Sequence, residues 1–239
     1  MLKDFVDRIL SLAPPQTVQV NELPYSSEKL SLVEPPVDES VEVVTLTGVV
    51  ELIKGQLDNL ELGAHLIHVI SPEQVRLIGR TCDPFGRRHA RVIAELTKST
   101  HWFGQWMAPE VFIIWLQSGF VPERGELTDL LRLVSSLTAE AVSLSEDDGI
   151  SQKAITRRGV AFKQEVVIKP RVPLAPYRTF REVAQPMSDF LLRLRRQDDE
   201  DGLPSCALFE ADGGRWKLEA MLAIKQWLED QNLGMPVIA

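Results

Sequence analysis

The sequence predicts an α+β fold: antiparallel sheets, as a meander plus hairpins, packed with a central apolar helix, an N-terminal helix and a C-terminal amphipathic helix. Three observations carry that expectation. Runs with helical spacing and runs with strand alternation occupy separate blocks, and strand runs follow one another directly instead of alternating with helices as βαβ units would. Turn signals of Ser, Pro, Gly and Asp separate neighbouring strand runs. The 239 residues are 44% hydrophobic, enough to bury a core. No stretch approaches the roughly 18 consecutive apolar residues of a membrane helix.

The first segment, MLKDFVDRILSLAPP, places Leu2, Phe5, Val6, Ile9 and Leu10 on one face of a helix that Pro14 and Pro15 end. Asp4, Asp7 and Arg8 break any apolar core that a signal peptide would need. From about 14 to 42 the chain reads as an extended Pro-rich arm with short strands such as TVQV, because paired prolines leave little room for regular structure. TLTGVVELIKGQLD is helical, with a stripe of Leu46, Val49, Val50, Ile53 and Leu57 and an N-cap at Thr45 or Thr47. HLIHVIS, QVRLIGRT and HARVIAEL then form an antiparallel meander across a Ser-Pro turn and the loop CDPFGRR. Pro109 and Gly119 delimit the next helix. Between them EVFIIWLQS is apolar nearly all round, which puts this helix at the centre of the core.

ELTDLLRLVSSL adds a second, amphipathic helix. Strands follow around turns at SEDDGIS and at Arg157, Arg158 and Gly159, and Val160, Phe162, Val166 and Ile168 mark one of them as half-buried. DFLLRLR and PSCALFEA pair across the acidic loop QDDEDGLP. After ADGG, the run RWKLEAMLAIKQWLEDQN is a helix with Ala220, Met221, Ile224, Trp227 and Leu228 on its apolar face. Residues 1–239 read as one domain, because the central helix is too apolar to stand between independent units.

Residues that carry catalysis elsewhere are present without their usual companions. His65 and His68 lie three apart in a strand-like run, where they point to opposite faces. His89 and His101 have no acidic or cysteine companion at ligand spacing. Cys82 and Cys206 match no metal or redox pattern and read as structural thiols in a reducing compartment. There is no nucleophile elbow, P-loop or G-x-G-x-x-G. Gly213-Gly214 reads as a sharp turn with Asp212 near the helix cap before it reads as a phosphate cradle. Asp147-Asp148 and the acidic run 198–201 lack calcium-loop spacing and read as solvated hairpin tips. Trp102, Phe103, Trp106, Phe112 and Trp115 have no interleaved base, so they read as core and not as a stacking platform for nucleotides. The expectation is a non-enzymatic protein with no catalytic residue, metal or cofactor.

Charge points to partners. Between Lys153 and Arg196 eleven basic residues stand against Glu165, Glu182 and Asp189, so the net charge of -8 hides a basic section of +8 and a remainder of -16. Opposite patches on two copies favour a homo-oligomer. Alternatively the basic section binds single-stranded nucleic acid through Arg157, Arg158, Arg193 and Arg195. A membrane partner is not expected. Inside this section lies the connector LAPYRTFREVAQP, stiffened by Pro173, Pro176 and Pro186, with Tyr177 and Phe180 as anchors. Arg178 either braces the fold, through Glu182 or a buried carbonyl, or joins Arg181 and Tyr177 as a fork for an anion or partner.

Four stretches taken together, PYRTFxExxQP (176–186), DDGISQ (147–152), FIIWLQSGF (112–120) and ALFEADGGRWKLEA (207–220), resemble a family of bacteriophage and prophage proteins, the DUF2303 group. The resemblance covers most of the chain and continues weakly into TLTGVVELI and HLIHVISPEQVRL. It implies a phage origin and the host cytoplasm as location, and supplies no catalytic residues. Phage origin in turn suggests a host protein, such as an antiphage-defence component, as target.

Overall fold

A computed structural model of the chain describes residues 2–11, 16–27, 29, 33, 35–97, 102–122, 125–139, 141–147, 152–158, 162–168, 171–196 and 204–239, with backbone alone for the strands between 141 and 168. Gly159, Val160, His101, Asp148 and the run 198–201 lie outside the described residues. The chain divides into two compact units, Met1–Glu39 with Thr81–His89, and Ser40–Arg80 with Ala90–Ala239.

In the first unit, helix α1 (Leu2–Ser11) is followed by a hairpin of β1 (Thr17–Val20) and β2 (Leu23–Ser26). The two-residue turn has positive φ at Asn21 (50°) and Glu22 (67°), the handedness that a tight hairpin requires. None of the fully buried hydrophobic side chains among the described residues belongs to this unit, whereas Phe5, Val6, Ile9, Val18, Val20, Val33 and Val37 are exposed.

The second unit begins with β3 (Val41–Val43) and α2 (Leu46–Lys54), whose N-cap is Thr45, with Oγ1 accepting from Gly48 N–H. Leu57 is not part of this helix, as its spacing had predicted. Gly55 ends the helix and Gln56 turns left-handed (φ 54°), so Leu57 starts a short 3₁₀ turn and still packs on the same core. The meander follows as β4 (His65–Ser71), β5 (Gln74–Gly79) and β6 (Ala90–Glu95), antiparallel throughout. His65 and His68 both lie in β4, at positions that face opposite ways.

Next come α3 (Pro109–Gly119), α4 (Gly125–Ala139) and an antiparallel sheet of β7 (Ala141–Asp147), β8 (Gln152–Arg158) and β9 (Phe162–Ile168). Arg157 and Arg158 end strand β8 opposite Lys163 and Phe162, where a turn was expected. The chain finishes with β10 (Val172–Leu174), β11 (Ser188–Arg196), β12 (Pro204–Glu210), α5 (Arg215–Asp230) and β13 (Val237–Ile238).

Two hydrophobic cores organise this unit. In the first, α2 and α5 cover one face of a sheet ordered β13-β4-β5-β6-β3. Ile67, Val69, Val75, Leu77, Val92 and Ala94 point inward against Leu46, Val49, Ile53, Ile224 and Leu228. The edges β3 and β13 run parallel to β6 and β4, so the sheet is mixed where the sequence indicated only antiparallel pairing. In the second, α3 and α4 pack on β10-β11-β12 through Phe112, Trp115, Leu116, Leu130 and Val134 against Phe190, Leu192, Leu194 and Leu208. Of the aromatic group, Phe112 and Trp115 are core and Trp102 and Phe103 pack against it, Phe103 stacking on Phe190 at 5.0 Å and meeting Trp115 edge-on at 5.5 Å, whereas Trp106 is 40% exposed, contrary to the expectation that all five are core.

The expectation for α3 needs correction. It buries one face only, leaving Val111 44% and Ile114 59% exposed. No helix among the described residues is long and apolar enough to cross a membrane.

Candidate functional site

The connector between β10 and β11 is held from every side, and its residues explain themselves one at a time. Val121 N–H donates to the Ala175 carbonyl and Tyr177 N–H donates to that of Gly119, so the segment is bridged to the end of α3. Thr179 Oγ1 donates to the Pro72 carbonyl (2.6 Å) in the turn between β4 and β5. Phe180 is fully buried in the first core.

The loop closes around the buried Gln185 amide. Its Oε1 accepts from the N–H groups of Arg178 (3.0 Å) and Thr179 (3.2 Å), while Nε2 donates to the carbonyls of Thr179, Phe180 and Val183. A turn that cannot pair its backbone with a strand needs such a side chain to satisfy it. Glu182 reaches another element: Oε1 accepts from Thr47 N–H (3.0 Å) and Thr47 Oγ1 (3.2 Å), filling a free donor in the first turn of α2.

Arg178 sits at the centre, with its side chain 2% exposed. One terminal nitrogen donates to Glu210 Oε1, and the other donates to Ser188 Oγ and lies 3.9 Å from Asp212 Oδ2. Ser188 Oγ in turn donates to Asp212 Oδ2. The guanidinium lies 3.8 Å from the ring centre of Trp216 and 5.9 Å from that of Phe190, both within cation–π range. Burial lowers the pKa of Arg178 to about 10, opposed by the charges of Glu210 and Asp212. It remains cationic at neutral pH.

Burial alone pushes the Asp212 carboxyl up, but the Ser188 hydroxyl, the Gly214 N–H, the Arg178 charge and the Trp216 N–H together hold it below the usual carboxylate range. Asp212 Oδ1 accepts from Gly214 N–H at 2.9 Å, so a carboxylate of the chain itself occupies the anion position at the N-terminus of α5.

The sequence had grouped Tyr177, Arg178 and Arg181 as one fork. The structure keeps them adjacent but gives them different surroundings: Arg178 is engaged internally, and the exposed Arg181 lies 3.7 Å from the ring centre of Tyr177. Beside them is a cleft of about 80 Å³ lined by Glu73, Leu96, Thr97, Tyr177, Thr179 and Arg181 among others. Drug-sized ligands fill roughly 300–1,000 Å³, so this cleft has room for water or a small ion.

The other candidates are apart. Arg193 and the exposed Arg195 alternate with buried Leu192 and Leu194 on β11, while Arg157 and Arg158 belong to the separate sheet β7-β8-β9. Cys206 is buried, with its thiol pushed up to about 12 by that burial, whereas Cys82 is exposed.

Sequence reasoning missed a second cluster, in the loop CDPFGRRH of the first unit. Asp83 Oδ1 accepts from Phe85 N–H and Arg87 N–H, and Oδ2 accepts from Arg87 Nε (2.8 Å) and pairs with His89 Nε2 (2.9 Å). Burial raises the Asp83 pKa, but the Arg87 and His89 contacts outweigh it and bring the value to about 2. The Asp-Pro-Phe-Gly signal was legible as a turn; that one carboxylate would organise the whole loop was not.

No group of three or more His, Cys, Asp or Glu side chains among the described residues is placed to hold a metal. Three of the four stretches that carried the resemblance meet at the connector: Gly119 and Phe120 of FIIWLQSGF bridge to Tyr177 and Pro176 of PYRTF, and Glu210, Asp212 and Trp216 of ALFEADGGRWKLEA surround its Arg178. No protein-family model, curated protein or solved structure matches this chain.

Proposed function

We propose that this chain is a bacteriophage-encoded accessory protein that works by binding, as a homo-oligomer, with a host-cell protein as its target. One observation supports this above the others: the unit Met1–Glu39 with Thr81–His89 has no buried hydrophobic core among its described residues and exposes seven large apolar side chains. Such a segment gains stability only when another surface covers it. The distinctive residues of the connector also favour this reading, since Arg178, Gln185 and Glu182 are engaged in bracing the fold. Phage origin and the host cytoplasm rest on the family resemblance.

The test is the solution mass of the purified protein by light scattering over a range of concentrations. A defined oligomer is expected; a monomer throughout would overturn the homo-oligomer. The outward placement of Arg193 and Arg195 on β11 favours nucleic acid as a second reading. Titration with single-stranded DNA at increasing salt separates the two. Nucleic-acid binding predicts an affinity that falls steeply with salt and is weakened by Arg193→Ala and Arg195→Ala. The leading reading predicts no such binding.

A further inference from the structure

The first unit presents an open sheet edge as well as apolar side chains. Ser27 N–H donates to the Gln16 carbonyl, so the pair 16 and 27 is hydrogen-bonded. Alternation along the ladder makes 18 with 25 and 20 with 23 the other bonded pairs, and turns the N–H and C=O groups of Thr17 and Gln19 away from β2. No hydrogen bond from the backbone of either residue to another part of the chain occurs among the described residues. The outer edge of β2 is different: it carries Pro24, which has no N–H, and the Pro24 carbonyl already accepts from Val33. Protected edges carry lysine, proline or a bulge. Strand β1, TVQV, has none of these, and all four of its residues are exposed.

We propose that two copies of the chain pair through β1, antiparallel about a two-fold axis at Val18, to give a continuous four-stranded sheet. The register is self-complementary. Thr17 faces Gln19 of the second copy and Gln19 faces its Thr17, each as a bonded pair, which adds about four backbone hydrogen bonds. Val18 faces Val18 of the second copy in the close, non-bonded pair, so no like charges meet.

Helix α1 of the same unit also lacks cover. A helix of ten residues is too short to persist in water without packing, yet Phe5 is 64% and Ile9 52% exposed. The charged residues in the sequence of α1, Lys3 and Arg8 against Asp4 and Asp7, sum to zero, so two copies approach without net repulsion. A nucleic acid or an anionic membrane fits worse, because the unit holds five basic against eight acidic residues.

This inference rests on the homo-oligomer reading and is tested on the full-length chain by light scattering at low and high salt. The wild type is expected to be dimeric, or a multiple of a dimer, and to stay associated at high salt. Gln19→Pro removes only an outward N–H, which leaves the β1–β2 ladder intact, and should weaken association by roughly tenfold or more.

Val18→Asp and Val18→Lys should each dissociate alone and associate when mixed, since opposite charges then meet across the axis. Recovery on mixing also shows that the single variants are folded. An oligomer that persists unchanged in all three variants overturns the β1 pairing and leaves the homo-oligomer standing. A monomeric wild type overturns both.

Discussion

Arg178 shows how much one buried charge can organise. It lies over the Trp216 ring and its nitrogens face Glu210, Ser188 and Asp212, so removing it would leave Asp212, only 9% exposed, without its cation. Breaking a buried pair from one side costs about 3–5 kcal/mol. Because Glu210 is 40% exposed and partly compensated by water, Arg178→Ala is expected near the lower end, about 3 kcal/mol, by urea denaturation. Arg178→Lys should recover little, because a single ammonium cannot serve both acceptors or lie flat on the indole.

The pH dependence follows from Asp212. Its pKa is lower folded than unfolded, so its stabilising contribution is complete above the ordinary carboxylate value of about 3.9 and is lost as pH falls through the depressed folded value. The gap in urea midpoint between wild type and Asp212→Asn should therefore be widest at neutral pH and close in acid. For Asp83, Asp83→Ala should speed amide exchange at Phe85 and Arg87 by roughly tenfold, since each N–H loses its acceptor.

At the scale of elements, the connector works as a capping device for a helix distant in sequence. Thr45 caps α2 locally, and Glu182 supplies the second acceptor from 135 residues away. Loss of a cap costs about 0.5–2 kcal/mol, so Glu182→Ala should destabilise by about 1 kcal/mol and raise amide exchange at Thr47. Helix α3 gives the opposite kind of prediction. Ile114 lies on its exposed face, so Ile114→Ser should change stability by less than about 0.5 kcal/mol, while Phe112→Ala on the buried face should cost about 3–5 kcal/mol. Equal effects would mean that α3 is covered on both faces in solution.

At the scale of the molecule, the second unit has two cores and one short segment that belongs to both. Phe180 lies in the core under α2 and α5, and Phe190 lies in the core under α3 and α4. The connector between them bonds to Pro72, Gly119 and Thr47, so the cores are expected to unfold as one cooperative transition in calorimetry. Two resolved transitions would show that the connector does not couple them.

The sequence by itself determined the α+β class, the β4–β5–β6 meander, the buried stripe of α5 and the rigidity of the connector, because periodicity and proline act over a few residues. It left Arg178 open between brace and fork, since its partners Glu210 and Asp212 lie 32 and 34 positions away and only the fold brings them together. It also ran α2 on to Leu57, although the helix stops at Gly55 before a left-handed Gln56, and could not see that β3 and β13 join the sheet in parallel. Which apolar faces find cover was equally beyond local pattern: EVFIIWLQS and LKDFVDRILS both carry apolar residues, but one face of α3 meets a sheet while Phe5, Val6 and Ile9 of α1 remain exposed. Burial is a property of surfaces that meet, and only the tertiary structure decides which surfaces those are.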